Sequence, residues 1–134
     1  MVRPMDLAPG LAALIDHVVV ESDTSAAMGT SDVPVLSTPR IILLAEQATA
    51  SALAGRLPEG VSAVEHRVEI SHLAPTAVGA KVTAEAILEA VDGRRLTFRV
   101  SVTDSRGLIA AGRFTRVLVS RENFLQRAAE AGDE

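Results

Sequence analysis

One long segment of this chain, Thr38 to about Leu57, is patterned as a helix, and after Gly60 the hydrophobic period changes to an alternation that runs to about Ser120. A chain built this way has one helix to bury and a set of half-buried strands to bury it against. Thr38-Pro39 marks the helix start, because Thr can cap and Pro at the first helical position loses nothing by lacking an N–H. Gly55 and Pro58 mark its stop. Ala45, Ala48, Ala50, Ala52 and Ala54 make the helix thin, and Glu46 places a carboxylate within this small-residue segment. An unpaired buried carboxylate costs several kcal/mol or takes up a proton, so a core helix that keeps one usually uses the acid or pairs it.

The alternation predicts strands. Val64, His66, Val68, Ile70 and His72 share one parity, with Glu65, Arg67, Glu69 and Ser71 on the other. Val82, Ala84, Ala86, Leu88 and Ala90 then alternate with polar residues up to Asp92-Gly93, a preferred two-residue hairpin turn. Leu96, Phe98, Val100 and Val102 return on the inner face, and a last strand from about Leu108 to Ser120 puts Ala110, Gly112 and Phe114 on one side. Ahead of the helix, Leu14 to Val20 reads as a first strand, and residues 22–37 read mainly as a long loop with a short strand at Thr24 to Met28. Residues 1–10 are expected to form a loose arm, Arg121 to Ala129 a terminal helix, and 130–134 a frayed tail.

At 134 residues and 48% apolar content the chain is sized for one domain with one core. A net charge of -4 with scattered basic residues gives no footprint for nucleic acid. No apolar run is longer than that of Ile41 to Ala45, which is far too short for a membrane span, and the N-terminus lacks a signal-peptide pattern, so a cytoplasmic protein is expected. Without cysteine there is no disulfide framework, thiol nucleophile or zinc-thiolate site. No phosphate-cradling glycine motif, metal-ligand cluster or Ser-centred nucleophile elbow occurs, and no cofactor or metal is expected.

The element order, strand, loop, one long helix and then four strands, is α+β. Combined with the thin helix it predicts a single hot-dog domain over 1–134, an antiparallel sheet wrapped around one central helix. Such a sheet leaves an edge strand that is usually paired or protected. A homodimer, with further assembly left open, is the natural solution.

Three segments carry a family resemblance: Asp23-Thr24-Ser25-Ala26-Ala27-Met28-Gly29, Val35-Leu36-Ser37-Thr38-Pro39 and Val68-Glu69-Ile70-Ser71-His72-Leu73-Ala74-Pro75-Thr76, together with Gly93-Arg94-Arg95 in the hairpin. Over roughly residues 11 to 127 the chain resembles the thioesterase family typified by the fluoroacetyl-CoA-specific enzyme. The resemblance implies a dimeric hot-dog acyl-CoA thioesterase that uses Thr38, Glu46 and His72. The chain departs from the family at Glu65, where members often carry a small residue, commonly glycine, so Glu65 is expected to bear on how the acyl group or its carrier approaches. The loop Gly29 to Ser37 has no aromatic side chain to gate the acyl group. A short or medium acyl-CoA is therefore the expected substrate.

Thioester hydrolysis needs a nucleophile or activated water, a proton manager and oxyanion donors. Glu46 can activate water or attack directly, His72 can serve as general acid/base, and Thr38 can orient water or thioester. The backbone N–H groups of about Arg40 and Ile41 are candidate oxyanion donors at the helix start. Eight helical residues rise about 12 Å, so Thr38 and Glu46 of one helix cannot both touch one acyl carbon, and a site composed across the dimer is favoured.

Plainer readings stand beside these. Thr38 fits an ordinary N-cap, Glu46 a solvated position or an arginine pair, and His72 a satisfied structural histidine. His17 and His66 read as structural. Arg94 and Arg95 are either solvated or aimed at the phosphates of a nucleotide carrier. Two other functions fit the same fold: a non-catalytic acyl-CoA binding module and an enoyl-thioester hydratase or dehydratase.

Overall fold

The computed structural model describes residues 7–132. Five antiparallel strands, β1 (Ala12–Val18), β2 (Val61–His72), β3 (Lys81–Asp92), β4 (Arg95–Asp104) and β5 (Gly107–Ser120), form one sheet in the order β1-β3-β4-β5-β2. Three helices accompany them: α1 (Ser25–Met28), α2 (Thr38–Leu53) and α3 (Arg121–Gly132). The long helix α2 touches all five strands. It buries Ile41, Leu44, Ala45, Ala48, Thr49, Ala52 and Leu53 against the sheet, so the alanines admit the close approach expected of a thin central helix. Phe98, Phe114, Leu88, Leu96 and Ile109 fill the space beneath it. This is the α+β hot-dog architecture, with the strand edges of β1 and β2 left open.

The elements differ from the sequence expectation in instructive places. The first strand lies two residues earlier than Leu14 to Val20, and Thr24 to Met28 forms not a strand but the short helix α1, capped by Thr24 Oγ1 accepting from Ala27 N at 3.1 Å. A capping threonine followed by Ser-Ala-Ala-Met satisfies a helix turn better than an isolated strand. Helix α2 stops at Leu53, short of Leu57. The hairpin turn is Gly93-Arg94 rather than Asp92-Gly93, because Asp92 pairs with Arg95, and Gly93 takes the left-handed φ of 61° that the turn needs. Residues 1–6 of the expected arm lie outside the described residues, whereas Gly10 donates to the Leu88 carbonyl at 2.8 Å and so ties the chain to β3. Of the expected frayed tail, 130–132 continue α3, and 133–134 lie outside the described residues.

Two bulges account for the larger differences in side-chain direction. In β3 a register shift between Leu88 and Ala90 turns Ala90 outward. In β2 the register with β5 shifts between Glu65 and Arg67, leaving His66 as the extra residue. A one-residue bulge flips the parity of everything on one side of it. Ile70 and His72 face α2 as expected, but N-terminal to the bulge Ala63 and Glu65 face inward, and His66 is exposed. At Gly112 the β2 backbone leaves no room for a side chain on β5. A Cβ there would sit 1.8 Å from the Glu69 carbonyl oxygen, a separation no side chain tolerates.

Among the described residues, no helix is long and apolar enough to cross a membrane, and no group of three or more His, Asp or Glu side chains could hold a metal ion.

Candidate active site

The start of α2 is held by the loop before it. Ser37, not Thr38, is the N-cap: its hydroxyl accepts from Arg40 N at 3.2 Å. Thr38 is the first helical residue and Pro39 the second, so the Thr38 hydroxyl is released from capping. Asp23, only 4% exposed, pins this corner. Its Oδ2 accepts from Val20 N at 2.8 Å and lies 2.7 Å from His17 Nε2, while Oδ1 lies 3.1 Å from Arg40 Nε. Burial pushes the Asp23 carboxyl up, but the Val20 N–H, His17 and Arg40 outweigh it and hold the group below the usual carboxylate range. His17 is thus structural, as expected, and its partner Asp23 is an anchor that sequence periodicity could not reveal.

The released hydroxyl finds His72. Thr38 Oγ1 lies 2.8 Å from His72 Nδ1, across 34 residues of sequence, and His72 Nε2 is buried with no protein partner. If the threonine donates, Nε2 carries the imidazole proton; if Nδ1–H donates, Nε2 is a free base. In either state Nε2 is the atom left to act on a substrate. The strap after His72 is fixed by Thr76 donating to Asp104 Oδ2 at 3.0 Å, and by Arg106 bonding both Asp104 and the Pro75 carbonyl. The Arg106 side chain and N–H hold the Asp104 carboxyl down at about 2, so this strut stays ionised at any working pH. Beside Thr38 a cavity of about 660 Å³ opens, lined by Ser25, Thr30, Ser31, Thr38, Pro39 and Ile42.

A second polar cluster lies further along α2. Arg116 of β5 donates to Thr49 Oγ1 at 2.8 Å, to the Ala63 carbonyl at 2.7 Å and to the Glu46 carbonyl at 3.1 Å. The inward-turned Glu65 places Oε2 3.1 Å from Arg116 Nε. That nitrogen's hydrogen already points to Thr49, and neither buried Glu65 oxygen receives a hydrogen bond. Glu65 therefore feels the arginine's charge without its donor. Desolvation dominates, the Glu46 carboxylate adds repulsion, and together they outweigh Arg116 to raise the Glu65 carboxyl to about 7. Glu46 itself is half-buried, and its carboxylate makes no hydrogen bond or ion pair among the described residues.

Within one chain, then, Thr38 and His72 come together, Glu46 and Glu65 come together, and the two pairs are apart. Among the described residues no carboxylate pairs with His72. The expected oxyanion donors do not survive: Arg40 N is taken by the Ser37 hydroxyl and Ile41 N by the Ser37 carbonyl at 3.1 Å, while the Ile41 side chain is fully buried. Because Pro39 has no N–H, the donor left open in this first turn is that of Thr38 itself. Arg116 is the residue that sequence reasoning missed. Its position on the inner parity of β5, two residues after buried Phe114, is the signal that could have found it, since an inward arginine demands a partner.

The sequence matches the family described as fluoroacetyl-CoA-specific thioesterase over residues 19–122. The fluoroacetyl-CoA thioesterase of Streptantibioticus cattleyicolor is 34% identical over 90 residues, which cover 67% of this chain and 65% of that protein's length. Among solved structures, a fluoroacetyl-CoA thioesterase superposes with a TM-score of 0.86 at 28% identity, covering 94% of this chain and 98% of the other. A hot-dog-like protein from Thermanaerovibrio acidaminovorans gives 0.88 at 28% identity, covering 95% and 97%. A thioesterase superfamily member from Thermus thermophilus gives 0.86 at 27%, covering 96% and 98%.

Proposed function

The chain belongs to the fluoroacetyl-CoA-specific thioesterase family, and from that premise we propose that it hydrolyses a short or medium acyl-CoA to the free acid and CoA, as a cytoplasmic homodimer whose sites are shared between subunits. The observation that carries this reading is the 2.8 Å contact of Thr38 Oγ1 with a His72 that pairs with no carboxylate among the described residues, the nearby Asp23 being committed to Val20, His17 and Arg40. The reaction needs an acid there, and Glu46 lies about 12 Å up the helix from Thr38.

A two-fold partner supplies it. β2 is a twelve-residue edge strand whose outer N–H and C=O groups call for pairing. Antiparallel pairing of two β2 strands about an axis near Val68 would set each His72 opposite the partner's Glu65, with the partner's Glu46 and Arg116 behind it. The interface is then isologous and builds two equivalent sites. His72 Nε2 and the partner's Glu46 flank the thioester, Glu46 takes a proton from the attacking water, and the Thr38 N–H receives the developing oxyanion. As the C–S bond breaks, His72 Nε2 gives its proton to the departing thiolate and takes in its place the proton that Glu46 drew from the water, so both side chains end as they began.

Arg116 serves this site by holding the Glu46 carbonyl and Thr49, which fixes one turn of α2 against β5. Glu65 borders the acyl end. The cavity beside Thr38 is rimmed by Ser25, Thr30 and Ser31 rather than by an aromatic gate, which favours a general short or medium acyl group over a fluorinated one. Thiol release measured across a series of acyl-CoAs tests the reading: turnover by the native chain and its loss in Glu46→Gln support it, and equal turnover by both contradicts it. Stoichiometric binding without thiol release would instead indicate an acyl-CoA binding module.

A further inference from the structure

Ala63 and Glu65 occupy successive inward positions of β2, and α2 runs past that face in the opposite direction, with Thr38 at His72 and Glu46 beside Glu65. One step further along both elements lies a separate cavity of about 230 Å³. Ala50, Leu53, Ala54 and Leu57 line it from α2 and the turn that follows, and Ala63 and Arg116 line it from the sheet. Glu46 to Ala50 is about 6 Å of helix rise, and Glu65 to Ala63 about 7 Å of strand. The cavity therefore begins about one helical turn beyond the reacting end, on the same inner face of the sheet.

Glu65 and Arg116 stand between the two spaces. The acceptors that hold Arg116, namely Thr49 Oγ1 and the carbonyls of Glu46 and Ala63, come from α2 and β2 alike, so the guanidinium is fixed across the gap between helix and strand. The Glu65 carboxyl lies 3.1 Å from it. Both Glu65 oxygens are buried while the side chain as a whole is 16% exposed, so the part it presents to its surroundings is the methylene stem. Oxygens held inward take no hydrogen bond from a substrate hydroxyl, whereas a methylene stem can abut the end of a plain alkyl chain.

We propose that Glu65, braced by Arg116, is the end wall of the acyl site: it restricts the substrate to short, unsubstituted acyl groups and shuts them off from the apolar cavity beyond. This rests on the reading of the chain as an acyl-thioester hydrolase with Glu65 at the acyl end. Cutting the wall back joins the two spaces, and each methylene that then enters an apolar pocket favours the longer chain by roughly tenfold.

The test measures thiol release from acetyl-CoA and hexanoyl-CoA, and calorimetric binding of the uncleavable thioethers S-ethyl-CoA and S-hexyl-CoA. The native protein favours the acetyl group. Glu65→Ala raises kcat/KM for hexanoyl-CoA relative to acetyl-CoA at least about tenfold, and tightens S-hexyl-CoA by a similar factor while leaving S-ethyl-CoA unchanged. Glu65→Ser gives the same shift with a polar group left beside Arg116, so the outcome does not depend on alanine being tolerated there. Glu65→Gln, which keeps the wall's volume, keeps the native preference, and Ala50→Leu, which fills the cavity, restores that preference in the Glu65→Ala background. A length profile unchanged by Glu65→Ala and Glu65→Ser overturns the wall, as does a Glu65→Gln variant that accepts hexanoyl-CoA equally well. If the shortened side chains tighten S-hexyl-CoA although no thioester is cleaved, the wall stands and the hydrolase reading falls. If the thioesters are cleaved with an unchanged length profile, the reverse holds.

Discussion

Thr38 Oγ1 lies 2.8 Å from His72 Nδ1, and the bond exists because Ser37 has taken over the capping of α2. A threonine that caps has its oxygen committed to a backbone N–H. Here Ser37 accepts from Arg40 N, and the next hydroxyl is free to orient an imidazole.

That division of labour separates stability from activity. Ser37→Ala is expected to cost about 1 kcal/mol of stability through loss of the cap. Thr38→Val leaves the cap intact and keeps the side chain's shape, so denaturation changes little while kcat/KM for thioester cleavage falls by about 100-fold, the lower end of acid–base effects. Equal stability losses in the two variants would show that Thr38 is the cap after all.

Glu65 ties stability to pH. The folded state holds its carboxyl proton to about 7, against an ordinary value of 4.5, so between those values the native chain binds more protons than the unfolded one. The Glu65 contribution to stability is therefore fully present below about 4.5 and declines as pH rises through 7. Glu65→Gln removes the decline. At equal protein concentration its unfolding free energy should lie close to the native chain's near pH 5 and exceed it near pH 8, by on the order of 2 kcal/mol. A gap that is the same at both pH values would contradict the buried, donor-starved carboxylate.

Gly112 is expected to be irreplaceable for a reason that has nothing to do with φ. Its absent Cβ is what lets the Glu69 carbonyl approach. Gly112→Ala must push β2 away from β5, costing about 1–3 kcal/mol by overpacking. Because β2 carries both Glu65 and His72, turnover should fall along with stability. An alanine variant with native stability and activity would show that the strands can part without cost.

Most of the fold was legible because its signals are local. The period change at Gly60, the Ala-rich helix and the Asp92-Gly93 punctuation dictate an α+β sheet around one helix, whatever the tertiary details. What escaped depends on pairing between distant residues. The bulge at His66 exists only in the register of β2 against β5, yet it decides that Glu65 faces α2 while His66 is exposed. Arg116 was overlooked for the same reason, since its three acceptors come from α2 and β2. The choice between Ser37 and Thr38 as cap also lay beyond the sequence, as adjacent hydroxyls offer the same oxygen and only the loop anchored by Asp23 selects one. Thr38, Glu46 and His72 came from resemblance to a family, and the chain folds so that two of them meet while the third stays with Glu65.

Subunit complementation tests the shared site most directly. One chain carries Thr38→Ala and His72→Ala, the other Glu46→Gln, and each alone should be nearly inactive. Mixed in equal amounts under conditions that allow exchange, half the dimers become heterodimers, each with one intact composite site, so thiol release should recover to about a quarter of the native rate. If the mixture stays as inactive as its parents although exchange is complete, the three residues act within one subunit and the composite site is wrong.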